Sequence, residues 1–292
     1  MSGAMDTAIK IQELIAAYTL KKQSPEMRRQ EARLTRDIRA LFGGVMDKTL
    51  AELERLGHIP VSTIDQQMIL RHILEARESL TEVIEEGTRD AADAGRYAAA
   101  QMIPGGVHFD DFSKHAYDLL RSQAFEASDR VIARVTGDVM GRIAEGYAKG
   151  LGIRDVAQSL QDQFSQIRGY EAERIARTET NSAQSAGRYL TMEELGVEYH
   201  QWWTADDDRV RDSEEVSHVE MHGQIVRVGD LFSNGLRYPG DKSGDISEWV
   251  SCRCTDVPFL MPIDKMPPLG VSYFYEHGII DQPLMNGGQA DE

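Results

Sequence analysis

A chain of 292 residues is longer than one compact domain usually is, so two units or one elongated structure are expected. Hydrophobic residues at 41% and charged residues at 27% exclude wholesale disorder. The formal net charge of −16 makes the molecule as a whole repel nucleic acid and anionic membranes, so any DNA contact must be local.

The opening "MSGAMDTAIK" lacks the basic start and apolar core of a signal peptide, and no stretch carries enough apolar residues for a membrane span. A soluble chain made in the cytoplasm, without a membrane partner, is the expectation. The first two-thirds read as helix. Ser24 and Pro25 resemble an N-cap and first helical position, and Leu34, Ile38, Leu41, Phe42 and Val45 then follow at spacings of three and four. Gly43 and Gly44 are a point where that helix could bend. On the same segment Arg29, Arg33 and Arg36 share one face, a candidate contact for DNA phosphates or an acidic protein surface; a solvated helix face is the plain alternative.

A second helix is predicted from "STID", where Ser62 and Asp65 form a capping-box pattern, with Ile64, Met68, Ile73, Leu74 and Leu80 on its apolar stripe and Gly87 as punctuation. "PGG" at 104–106 reads as a loop. Helical spacing resumes through Leu120, Val131, Val135, Val139 and Ile143 and stops at "GLGI". A short helix, "RDVAQSLQDQF", and a longer one, "GYEAERIARTETNSAQSAGRYLTMEELG", complete the helical part. The longer one offers small residues for close packing on one side, with Arg174, Arg177 and Glu179 as charge on the other.

At Gly196 the pattern changes. "VEYHQWWT", "GQIVRV" and "EWVSCRCTDV" are rich in aromatic and β-branched residues and read as strands. The expected fold class is α+β: a long, mainly α-helical N-terminal region followed by a small C-terminal α+β domain with a short, mostly antiparallel sheet. The divisions fall at 1–150, 151–262 and 263–292. The last piece is a Pro- and Gly-rich tail whose Tyr273, Phe274 and Tyr275 suggest docking on a partner.

Between Ala205 and Glu220, seven acids (Asp206, Asp207, Asp208, Asp212, Glu214, Glu215 and Glu220) stand against Arg209 and Arg211. Such density beside His218 and His222 suits a divalent ion or acid–base chemistry; the plain reading is a solvated acidic loop. Position 219 is Val, so no HExxH motif exists. Cys252 and Cys254 are the two cysteines of the chain. On a strand they would face one way and Arg253 the other, toward an ion pair with Asp207, Asp241 or Glu248. With His218 and His222 the thiols would make a Cys₂His₂ set for structural zinc. Without metal they would be small buried hydrophobes, and a disulfide is the weakest reading. No phosphate-binding loop, dinucleotide fingerprint or nucleophile elbow occurs.

Taken in order, "IARTET", "WWTADDDRVR", a His three residues before "MHG", the Phe of "DLFSNG", "YPGD" and an acid four residues before "CRC" resemble the phage Mu protein F-like family of head-morphogenesis, or minor head, proteins. The resemblance covers about residues 150 to 258. Carried onto this sequence, its motif positions are Arg177, Thr178, Glu179, Trp203, Asp207, Arg209, Arg211, His218, Gly223, Pro239, Gly240, Asp241, Glu248, Cys252, Arg253 and Cys254. Many relatives place a histidine just before the cysteine pair, where this chain reads "EWVS". Others carry cysteines near the positions of Arg211 and Ser213. The resemblance implies a minor capsid protein of a tailed bacteriophage or prophage, inside the virion head near the portal protein, with major capsid or scaffolding protein as further partners. It implies work in capsid assembly, DNA packaging or ejection, and no enzyme. The alternative is a metal-dependent hydrolase or nuclease using His218, His222 and the nearby acids.

Overall fold

A computed structural model describes residues 2–103, 114–205 and 209–260, with side chains from residue 25 onward. Asp207 and the aromatic tail lie outside the described residues, as does the "PGG" loop. Five helices come first in chain order: α1 (Ser2–Leu56), α2 (Thr63–Met102), α3 (Lys114–Ala148), α4 (Ile153–Gln166) and α5 (Ala172–Glu194), with one π-helical turn, Ile167–Glu171, between the last two. Strands β1 (Tyr199–Trp203), β2 (Ile225–Arg227) and β3 (Thr255–Phe259) follow, with the four-residue helix α6 (Ile246–Trp249) before β3. Long helices and then a small antiparallel sheet are the α+β arrangement expected from the sequence. No helix among the described residues is long and apolar enough to cross a membrane.

The chain divides into two compact units that interleave along the sequence. The first gathers Arg29–Arg89 with Tyr117–Glu179; the second gathers the described residues of Met1–Arg28, Asp90–Ala116 and Thr180–Glu292. In the first unit the heptad-like stripes meet as the spacing predicts. Leu34, Ile38 and Phe42 of α1, Ile73 and Leu80 of α2, Val135, Val139 and Ile143 of α3, and Leu160 and Phe164 of α4 are buried in one apolar cluster. Non-directional burial of this kind needs only apolar residues at the right period.

Several local expectations are corrected. Helix α1 does not begin at Ser24; it runs through Pro25, which has no N–H to donate to the carbonyl four residues back. It also continues through Gly43 and Gly44. Ile64 and Leu74 are exposed rather than part of the α2 stripe, and Gly87 does not end that helix. A Cβ at Gly87 would lie 2.7 Å from Leu34 Cδ1, so this glycine makes room for the neighbouring helix. Ser62 caps α2 as the pattern predicts: its hydroxyl accepts from the Asp65 N–H at 3.1 Å, and it donates to the Asp65 carboxylate at 2.7 Å, so the two side chains bond each other.

The second unit is built differently. From Thr180 to Met192, α5 is buried on every side, including Thr180, Asn181, Gln184 and Arg188, so the expected division into a packing face and a charged face does not hold there. Its small residues allow α2 and α5 to touch backbone to backbone. A Cβ on Gly95 would meet the Gln184 carbonyl oxygen at 2.0 Å, and one on Gly187 would meet that of Ala92 at 2.2 Å. The sheet has order β2-β1-β3, both pairings antiparallel, with His200 opposite Val226 and Pro258. Arg188 of α5, His200 of β1 and Asp256 of β3 meet with no exposure at all. His200 Nδ1 is 3.1 Å from one Asp256 oxygen and Arg188 Nε is 3.6 Å from the other. Burial lowers the Arg188 pKa to about 10, with Asp256 pulling the other way.

Candidate functional site

The cysteines do not lie on a strand. Asp245 caps α6 by accepting from the Ser247 N–H at 2.8 Å, and the chain then turns: Cys252 N–H donates to Trp249 O at 3.2 Å, and Ser251 has φ of 57°. That left-handed geometry is disfavoured for a residue with a Cβ by about 1–2 kcal/mol. Strand β3 begins only at Thr255. Cys252 and Cys254 nevertheless point to one place, because the turn rather than β alternation directs them.

The place is His218. Its Nδ1 lies 3.6 Å from Cys252 Sγ and 3.5 Å from Cys254 Sγ, and all three residues are buried. Its Nε2 donates to Glu248 Oε2 at 3.0 Å, and Asn234 Nδ2 donates to the same oxygen at 3.0 Å. Trp202 stands edge-on to the imidazole with ring centroids 5.5 Å apart. The segment bearing His218 is tied to the cysteine turn through Arg211: His218 N–H donates to Arg211 O at 2.9 Å, and the Arg211 guanidinium donates to Val250 O.

The electrostatics follow from this packing. Burial disfavours a charge on His218, but the hydrogen bonds with Cys252 and Glu248 outweigh it and raise its pKa. Cys252 is held well below the ordinary thiol value by the hydrogen bond from Cys254 and by His218, whereas burial pushes Cys254 up. A pocket of about 120 Å³ adjoins the three side chains and is also lined by Arg209, Arg211 and Arg253.

The four proposed zinc ligands are not brought together as a set. His222 is turned to β1, where its Nδ1 accepts from the Thr204 N–H at 3.3 Å and lies 2.9 Å from the hydroxyl, while its ring packs on Trp203. Of the three acids expected to face Arg253, Asp207 lies outside the described residues, and the other two have partners of their own. Asp241 is held by Arg237 through two side-chain contacts of 2.8 and 3.0 Å, and Glu248 by His218 and Asn234.

The remaining motif positions brace the fold. Gly240, with φ of 87°, sits so close to α5 that a Cβ there would lie 3.0 Å from Ser182 Oγ, and that hydroxyl donates to Gly240 O. Pro239 is buried beside it. Gly223, φ 81°, lies in a turn closed by Gln224 N–H donating to Met221 O at 3.1 Å, and its own N–H donates across to Trp202 O of β1 at 2.9 Å. Thr178 and Glu179 are buried in α5, and Arg177 is 3.9 Å from Glu31. Arg29, Arg33 and Arg36 are exposed on α1, with Arg36 hydrogen-bonded to Asp37 at 3.3 Å. The Arg188–His200–Asp256 group escaped the sequence reading. Its members lie far apart in the chain, and only an Arg and an Asp in otherwise apolar or small-residue surroundings hinted at it.

An antiparallel three-stranded sheet packed on a buried polar helix, with a His–Cys–Cys cluster at its edge, defines a small α+β module braced by its own motif residues. The family model of phage Mu protein F like proteins matches residues 138–257, which bears out the family read from the motif series. Over 153 residues the chain is also 26% identical to an uncharacterised protein of Methanocaldococcus jannaschii, a match covering 52% of this chain and 24% of that protein. The chain thus spans about a quarter of the length of that curated relative. No solved structure matches it.

Proposed function

We propose that this protein is a minor head protein of a tailed phage or prophage, acting in capsid assembly at the portal vertex and in the packaging or ejection of DNA. The observation that carries this reading is the family match across residues 138–257. The roles of the motif residues support it. Gly223, Gly240 and Asp241 set turns and anchor a loop to α5, which is the work of a rigid module rather than of a reaction centre. The role is structural, with the portal protein as the main partner and capsid or scaffolding protein as further ones, and the location is the inside of the head. Arg29, Arg33 and Arg36, exposed together on α1, are the local surface suited to DNA phosphates in a chain of net charge −16.

The hydrolase alternative requires His218 and His222 to act on one ion, and here they face different partners. The test is mass spectrometry of purified virions together with co-purification of the full chain with its phage's portal protein. Presence in the particle and retention on the portal are expected. Particles that lack the chain, with no retention on portal, would overturn the proposal.

A further inference from the structure

We infer that His218, Cys252 and Cys254 form a binding site for a zinc-class divalent ion, with Nδ1 of His218 and the two sulfurs as ligands and a fourth position open to the arginine-lined pocket. This inference stands on side-chain geometry and does not depend on the head-protein reading. Zinc bonds of about 2.3 Å to sulfur and about 2.0–2.1 Å to nitrogen, set at a tetrahedral angle, put a ligand nitrogen about 3.5 Å from a ligand sulfur. The observed separations are 3.5 and 3.6 Å. The three donor atoms all lie within 4.8 Å of one another.

The surroundings are those of a ligand set rather than of a packing accident. One imidazole nitrogen facing two sulfurs cannot satisfy both with a single lone pair or a single proton, whereas a cation between them satisfies all three. The opposite nitrogen is held by Glu248, itself fixed by Asn234. A carboxylate on the outer nitrogen of a ligating histidine fixes the ring's orientation and raises its basicity. Arg211 and Arg253 line the same pocket, and positive charge favours thiolate over thiol. Two thiolates and an imidazole select zinc over magnesium or calcium. Among the described residues no fourth protein ligand joins these three, and because all three border the pocket the fourth corner suits a solvent oxygen or a small anion. Metal there would fasten the segment around His218 to the turn between α6 and β3, two stretches that the Arg211 guanidinium also joins.

The experiment is metal loading of the full chain, purified without a metal-affinity tag, with Zn²⁺ read by elemental analysis and Co²⁺ read by absorption. About one metal per chain is expected, with the sulfur-to-cobalt charge-transfer band of a tetrahedral thiolate site. Cys252→Ser, Cys254→Ser and His218→Ala should abolish the band, and His222→Ala should keep it. Glu248→Gln should still bind metal, with affinity lower by about 10–100-fold. Wild-type protein that takes up neither ion would overturn the inference without reference to any variant's folding. Loss of the band in His222→Ala as complete as in Cys254→Ser would overturn the ligand set.

Discussion

The two compact units hold together by different physics. The one comprising Arg29–Arg89 and Tyr117–Glu179 buries Leu, Ile, Val and Phe stripes against each other, and its side chains need only the right period. Among the described residues, the other buries two Arg, two Asp, three His and a run of Thr, Ser, Asn and Gln, and its α2 and α5 segments touch where two glycines remove the Cβ atoms. Apolar contact is non-directional and tolerates substitution; buried polar groups and backbone contacts do not. The first unit should therefore yield gradually to mutation and the second abruptly.

The sharpest way to break that contrast is at the helix crossing. Gly95→Val or Gly187→Val places side-chain atoms against carbonyl oxygens that a Cβ alone would meet at 2.0 or 2.2 Å. A loss above about 4 kcal/mol, exceptional for a single substitution, is expected in denaturant unfolding of the full chain. Next comes Asp256→Ala, which leaves Arg188 and His200 buried beside a missing partner and should destabilise by about 3–5 kcal/mol. Phe42→Ala in the apolar unit should fall in a similar range, about 3–5 kcal/mol, through transfer and cavity terms. The contrast then lies in rescue. Phe42→Leu should recover much of the loss, whereas Asp256→Leu should not, because the buried Arg188 guanidinium would still have lost its carboxylate. If Asp256→Leu matches wild type, the buried group does not brace the fold.

This difference in physics also explains what could be read from the letters. The helices of the first unit, the Gly196 transition and strands β1 and β2 were legible because each is written in local periodicity or composition. The cysteine turn was not, since "EWVSCRCTDV" has strand composition while Asp245 caps a helix just before it and Ser251 takes a positive φ. Two of the three converging side chains, Cys252 and Cys254, stand out by rarity. That Glu248 rather than His222 completes the surroundings of His218 depends on a contact across 30 positions, which no local pattern records.

A subtler probe uses pH on the loop of Asp241. Burial opposes its charge, but the Arg237 side chain and the N–H groups of Ser243 and Arg237 outweigh it and hold its pKa below the usual carboxylate value. A carboxyl whose folded pKa is depressed contributes stability that is fully present above its unfolded pKa, about 3.9, and fades as pH falls through the folded value. Asp241→Asn should remove about 1.5–3 kcal/mol at neutral pH. The wild-type advantage over the variant should shrink as the pH drops below about 4, which paired unfolding curves would detect. An advantage independent of pH would mean that the side chain acts by shape alone.

The smallest effect belongs to the feature that was easiest to read. Ser62→Ala removes the hydroxyl that accepts from the Asp65 N–H and donates to its carboxylate, leaving one helix-terminal donor to water. Because that end of α2 is exposed, solvent replaces most of what is lost, and the expected change is about 1 kcal/mol. Ser62→Asp should restore part of it, since a carboxylate accepts the same N–H and favours the positive end of the helix, although Asp65 repels it. A four-residue motif is visible because it acts within one turn of chain, and for the same reason water can stand in for it. The Gly95 and Gly187 contacts have no such substitute, because a carbonyl oxygen and a side chain cannot share one space.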